Sequence, residues 1–299
     1  SSRSCFLLGG GIAMSERESV RKTYKLFVGG AFIRSESGRT FEACDSKGTF
    51  IANVAQASRK DARDAVVAAR NAQPGWQSAT AYNRGQILFR IAEVMESRRA
   101  QFEEELRITE GAGDKKAAKI VNAAIDRVVW YAGWSDKLSA VVGSNNAVAG
   151  PYFNFSVPDA TGVIAIVAPQ ESSLLGLISV ICPAIVSGNS VVVISSFKRP
   201  LVAVTLAEVL ATSDVPAGVV NILTGDYAEI APWLAEHMDV DGIDLAGVDN
   251  AEAAVQLEAA ASVNVKRVIR PTSDWEDAPT LSRMRTWIEI KTVWQPIGQ

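Results

Sequence analysis

The chain has 299 residues, 48 % of them hydrophobic and 21 % charged, a composition that supports a packed core and about two domains. A net charge of -3, with Lys and Arg scattered through helical stretches, offers no basic patch for nucleic acid. Three cysteines without CxxC spacing and a single histidine, His237, argue against a metal site and suit a reducing, cytoplasmic setting, and no apolar run reaches the roughly 20 residues of a bilayer span.

The stretch SSRSCFLLGGGIA precedes Met14 and is too short and too poor in cleavage signals for a secretory leader. Residues 1–23 therefore read as a tag or disordered N-terminus, with the natural start expected at Met14. Tyr24 to Gly30 and Ala31 to Ile33 read as two short strands joined by a glycine turn. Ser58, with Asp61 three residues on, marks a capped helix start. Ala62, Ala65, Val66 and Ala69 then recur at helical spacing, and the helix is expected to stop before Pro74. A second helix is expected over Asn83 to Phe102 and a third over Lys115 to Leu138. Tyr152 to Val157 alternates polar and apolar residues, the period of a strand with one buried face.

From Gly162 the pattern changes. Val163 to Ala168 is continuously apolar, as in a strand buried on both faces. Strands at 190–196, 219–224, 242–245 and 265–269 alternate with helices at 174–186, 201–211, 229–236 and 251–261. That alternation implies parallel βαβ units and an α/β fold, a doubly wound Rossmann-like sheet whose ligands sit at the carboxyl ends of the strands.

Six segments occur together: KLFVGGAF, TGVIAIVAP, ICPAIVSGNSVVV, PAGVVNILTG, HMDVDGIDLAG and NVKRVIR. In order and spacing they resemble the aldehyde dehydrogenase superfamily from Tyr24 to Arg270. The resemblance implies a nucleotide-binding domain over 24–270, with 140–160 forming part of an oligomerisation arm. Residues 271–299 would form a linker, a helix and the arm's C-terminal strand, since LSRMRTWIEIKTVW is similar to the family's closing segment. It further implies that the catalytic domain is missing between these parts.

Position by position, the resemblance implies a vestigial site at Pro169, Gln170, Ile194, Phe197, Gly225, Gly247 and Val248. Glu171 stands where the family places an oxyanion-hole asparagine, and a carboxylate would repel the developing oxyanion. Ile194 and Phe197 stand where a lysine and a glutamate hold the adenosine ribose, with Lys198 one residue beyond. Asp226 and Glu229 add negative charge near Gly225, where phosphates would lie, and Val248 replaces a phosphate-binding serine. Pro271 to Asp274 replace the region of the general-base glutamate, and no cysteine follows Cys182 to act as the thiolate nucleophile. No catalytic and no metal-binding residue is therefore expected, no cofactor is expected, and NAD binding should be weak or vestigial.

Two readings of function follow: a non-catalytic pseudoenzyme acting as a structural or regulatory subunit, or the nucleotide-binding half of an NAD-dependent enzyme that acts with a catalytic partner. A third is a different small ligand at the strand ends. Expected partners are a second copy in a homodimer or a full-length aldehyde dehydrogenase in a hetero-oligomer, with no nucleic acid and no membrane. Cys182, before Pro183 on an apolar helix face, reads as a buried structural thiol, Glu171 as a solvated loop carboxylate and His237 as a favourable cation at a helix end. Trp130, Tyr131 and Trp134 read as core or interface packing.

Overall fold

The protein is described here by a computed structural model covering residues 21–298. The expectation for the leader falls, up to residue 20, outside the described residues. In chain order the strands and helices are β1 (Leu26–Val28), β2 (Ala31–Ile33), β3 (Thr40–Cys44), β4 (Phe50–Ala55), α1 (Arg59–Ser78), α2 (Ala81–Ser97), α3 (Arg99–Glu110), α4 (Asp114–Trp134) and α5 (Leu138–Val142). They continue as β5 (Ser144–Asn146), β6 (Tyr152–Ala160), β7 (Val163–Val167), α6 (Leu175–Val186), β8 (Ser190–Ile194), α7 (Leu201–Ala211), β9 (Val220–Leu223) and α8 (Tyr227–Glu236). The last are β10 (Gly242–Asp244), α9 (Ala251–Ser262), β11 (Arg267–Ile269), α10 (Ser282–Thr286) and β12 (Ile288–Pro296).

The main sheet has the order β11-β10-β7-β8-β9-β1-β2. Its β11, β10, β7, β8 and β9 are mutually parallel, as the alternating pattern requires. The β1–β2 hairpin extends it antiparallel through Phe27 opposite Ile222, so the sheet is mixed rather than purely parallel. Alternate residues feed two cores. Ile164, Ile166, Val191 and Val193 face α2, α4, α6 and α7, whereas Val163, Ala165, Val167 and Val192 face α1, α8 and α9. The sheet order places β7 between β10 and β8, and the chain reverses direction there. The crevice of the fold therefore opens at the carboxyl ends of β7 and β10.

The N-terminal helices differ from the sequence expectation in an instructive way. The first has the expected reciprocal Ser58–Asp61 capping box but continues through Pro74 to Ser78. Trp76, 1 % exposed, donates its indole N–H to the Ile185 carbonyl at 2.8 Å, so a buried tertiary contact outweighs the local cost of proline. The expected helix over Asn83–Phe102 is two helices, broken at Arg98 (φ -107°, ψ 15°). Both helices pack on α4 and α7, and the first packs on α6 as well. The β3–β4 hairpin was not legible in the sequence; its turn is held by Asp45, which accepts the Lys47 and Thr49 N–H groups at 2.8 Å each.

The C-terminal segment folds back on the main domain. A helix and then a strand appear where the sequence placed them. Met284 and Trp287 are fully buried in the same core as α4 and α6. Gly242 makes room for that indole: a Cβ there would lie 2.7 Å from the Trp287 ring. Asn189 Nδ2 donates to the carbonyls of Trp287 (2.8 Å) and Ala184 (3.0 Å), and its Oδ1 accepts the Gly162 N–H at 2.8 Å. From there β12 runs antiparallel along the whole of β6, forming a separate three-stranded sheet in the order β12-β6-β5.

Candidate functional site

The carboxyl ends of β7, β8, β10 and β11 surround an open cleft of about 620 Å³. One wall is the loop from Pro169 to Leu175 that leads into α6. A second is formed by Ala246 to Asp249, after β10, and the outer wall by Pro271 to Glu276 of the returning segment. Lys198 and Arg199 close the side next to β8. The position agrees with the crevice expected of a doubly wound sheet.

Four of the seven sequence-predicted site residues, Pro169, Gln170, Gly247 and Val248, line this cleft. Gln170 is 7 % exposed and its amide is used internally: Nε2 donates to the Ala168 carbonyl and Oε1 accepts the Phe197 N–H, each at 3.0 Å. The loop after β10 lies hard against β7. The Gly247 N–H donates to Val167 O at 2.9 Å, and a Cβ at 247 would come within 1.8 Å of the Ala168 carbonyl, so glycine is required by packing alone. The Val248 side chain is buried in the core beside Leu245 and Ile230.

The other three lie away from the cleft. Ile194 is completely buried, packed on the α1–α8 side of the sheet. The Phe197 ring lies 4.7 Å from that of Phe41, on the β3–β4 hairpin. Gly225, at φ +140°, faces the backbone of Ala57. Beyond it the first turn of α8 is already supplied with negative charge. Asp226 accepts the Ala228 N–H at 2.9 Å as its N-cap, and Glu229 pairs with Arg39 at 2.7 Å. Two carboxylates therefore occupy the field in which an anionic ligand would sit.

Sequence reasoning treated Lys198 and Glu171 separately, whereas the structure joins them. Glu171 accepts Lys198 Nζ at 2.9 Å and Arg199 Nη2 at 2.9 Å. Lys198 Nζ also lies 3.8 Å from Asp249, which accepts the Tyr227 hydroxyl at 2.7 Å. Arg199 lies 3.6 Å from Glu110, whose carboxylate accepts the Ser173 hydroxyl at 2.6 Å. The Lys198 hydrogen bond, helped by the Arg199 charge and opposed by partial burial, holds the Glu171 carboxyl below its ordinary range, and the same bond raises Lys198. These partners are separated by 22 or more residues, so no local spacing could have revealed them. At the mouth of the cleft Lys198 and Arg199 already have internal anionic partners.

Cys182 is 1 % exposed within α6, and burial pushes its thiol up to about 12, which removes thiolate at neutral pH. Cys44 is half-buried on β3, and Cys5 lies outside the described residues. The expected cation at His237 is corrected: desolvation beside Trp233 lowers its pKa, and Nδ1 accepts the Asp239 N–H at 3.0 Å, so the ring acts as a neutral acceptor. Tyr131 is buried with Trp130 and Trp134 half-buried against the core. Among the described residues no cluster of His, Cys, Asp or Glu side chains is arranged to hold a metal, and no helix is long and apolar enough to cross a membrane.

Fold and cleft together define a doubly wound α/β domain of the nucleotide-binding class. The model of the aldehyde dehydrogenase family matches residues 32–270, and the chain belongs to that family. Retinal dehydrogenase 2 of Mus musculus is 32 % identical over 252 residues, covering 83 % of this chain and 48 % of that protein. D-glyceraldehyde dehydrogenase (NADP(+)) of Thermoplasma acidophilum is 27 % identical over 274 residues, covering 89 % of this chain and 55 % of that one. Among solved structures, PnpE from Pseudomonas sp. WBC-3 superposes with a TM-score of 0.78 at 26 % identity, covering 83 % of this chain and 50 % of that one. The chain thus spans about half the length of these relatives.

Proposed function

We propose that this protein is a non-catalytic member of the aldehyde dehydrogenase family, a cytoplasmic structural or regulatory subunit of a dehydrogenase assembly. The observation that carries the reading is the charge network that occupies Lys198 and Arg199 in the cleft. Lys198 and Arg199 are bound by Glu171, Asp249 and Glu110, and the α8 N-terminus is bound by its own Asp226. A dinucleotide brings negative phosphates and ribose hydroxyls. Here it would meet the carboxylates of Glu171, Asp249 and Glu110 and a buried Val248, with no side chain of Ile194 or Phe197 turned to it, so the residues present do not fit NAD. Each polar group of the nucleotide left without a partner would lose about 1–3 kcal/mol. Cys182, buried and protonated, supplies no nucleophile.

The assembly role rests on the arm. In this reading β6 and β12 present Tyr152, Phe153, Ile290 and Trp294, all substantially exposed, to a homodimer mate or a full-length relative. Deleting residues 291–299 should abolish association while leaving the core folded, by light scattering and circular dichroism.

Catalysis is tested directly. The purified chain should not turn over aldehydes with NAD or NADP, and appreciable turnover that survives Cys182→Ala would refute the reading. One observation favours the other reading, a nucleotide-binding half-enzyme: the cleft volume is within the range of roughly 300–1,000 Å³ typical of ligand sites. PnpE, whose structure has also been solved in complex with nicotinamide adenine dinucleotide, is a family neighbour of the same fold. Activity that appears only on mixing with a full-length relative would favour that half-enzyme.

A further inference from the structure

The outer edge of β12 has a symmetry that specifies its own partner. Two hydrogen bonds fix which way its backbone groups point. Trp287 O accepts the Thr161 N–H at 3.3 Å, and the Ile297 N–H donates to Pro151 O at 2.8 Å. Both are odd-numbered residues turned toward the β6 strand. In an antiparallel ladder the alternate residues face the other way. The backbone groups of Ile288, Ile290, Thr292, Trp294 and Pro296 therefore line the open edge.

Both ends of that edge are blocked. The Ile288 carbonyl already accepts a hydrogen bond from Arg267 Nη1, and Pro296 has no N–H to give. Among the described residues the free run is Ile290, Thr292 and Trp294, and its midpoint is Thr292. Ile290 is 54 % exposed and Trp294 57 % exposed, and both project on one face, where Thr292 Oγ1 already contacts Ser156 Oγ at 2.9 Å.

We propose that two copies of this chain pair antiparallel through the outer edges of β12, about a two-fold axis at Thr292, joining two three-stranded sheets into one. The proposal deepens, and rests on, the reading of the arm as an assembly element. In this register Thr292 faces Thr292 as a hydrogen-bonded pair, and each Ile290 faces the Trp294 of the other copy. All outward N–H and C=O groups of the free run then find partners, and a β-branched side chain meets an aromatic one on each side of the axis. Neighbouring registers are poorer. An axis at Ile290 calls on the occupied Ile288 carbonyl, and axes at Val293 or Trp294 set Pro296 where a donor is needed. An axis at Lys291 places two lysines opposite each other. A long open edge with exposed apolar side chains is the kind that sheets ordinarily cover.

Cross-linking reads the register. Thr292→Cys is placed in the full chain carrying Cys5→Ser and Cys44→Ser, with Glu289→Cys and Ile297→Cys as controls. Residues opposite in a hydrogen-bonded antiparallel pair have Cα atoms about 5.5 Å apart, inside the disulfide range of roughly 4.4–6.8 Å. Mild oxidation should give a covalent dimer at 292 and not at the controls. Thr292→Pro is the second variant. It removes an outward N–H and leaves the β6 ladder intact, so it should yield a folded monomer by sedimentation and circular dichroism. A dimer that resists Thr292→Pro, or that cross-links at 289 or 297 in preference to 292, overturns this pairing while the arm remains an assembly element. A parent chain that is monomeric at high concentration overturns both.

Discussion

The cleft at the strand ends and the root of the returning segment use charge in opposite ways. In the cleft, Glu171, Lys198 and Asp249 have side chains more than half exposed, so their ion pairs are of the surface kind and contribute little to stability. At the root, Asp244 is completely buried and bound by Arg283, itself only 13 % exposed and stacked over Trp275 at 5.1 Å. Arg127 there donates to the carbonyls of Trp275 (2.7 Å) and Asp277 (2.6 Å) and to Ser179 Oγ (2.8 Å). Burial raises the Asp244 carboxyl and Arg283 opposes that shift. The polar interactions that decide stability thus fasten the segment carrying β12 to the domain. Those in the cleft neutralise one another in water.

The sharpest break in this comparison comes from Asp244→Ala, which leaves Arg283 buried without its partner. Removing one member of a buried pair costs about 3–5 kcal/mol, so chemical denaturation should show a severe loss and the arm should be released. Trp287→Ala belongs to the same class, since truncating a fully buried Trp costs about 3–5 kcal/mol and also strips the packing against Gly242.

A smaller effect is expected from Glu105, a carboxylate outside both regions. It lies under Thr205, which donates to it at 2.6 Å, with Gln101, Lys22 and Glu208 around it, and burial pushes its pKa up to about 7. The folded state therefore holds a proton that the unfolded chain gives up near 4.5, and stability falls as pH rises from that value to about 7. Glu105→Gln should abolish this slope and stabilise the protein at pH 8 by on the order of 3 kcal/mol, at about 1.4 kcal/mol per pKa unit. A flat pH profile in the parent between 4.5 and 7 would contradict the assignment.

The smallest effect sharpens the contrast. Glu171→Gln breaks the most connected carboxylate of the cleft, yet the unfolding midpoint should move by no more than about 0.5 kcal/mol equivalent, as for other surface changes. A loss comparable to that of Asp244→Ala would mean the two regions do not differ as described.

The parallel strands, with their continuous apolar runs such as Val163 to Val167, were legible because a strand buried on both faces has few alternatives. The α10–β12 return was expected from the likeness of 281–294 to the closing segment of the family. Pro74 misled because the buried Trp76 decides that turn, and the β3–β4 hairpin was missed because Asp45 and Gly48 make a turn between strands of mixed polarity. At the site, the sequence located Pro169, Gln170, Gly247 and Val248. It could not show that Ile194 and Phe197 point elsewhere, nor that Lys198 meets both Glu171 and Asp249, because such contacts exist only once segments 27 to 51 residues apart are aligned.

The central proposal is that the cleft of this family member does not accept a dinucleotide. Isothermal calorimetry of the purified chain with NAD and with NADP, at low ionic strength where an anion would bind best, tests it most directly. The account predicts no resolvable binding heat for either. Micromolar affinity for one of them would contradict it.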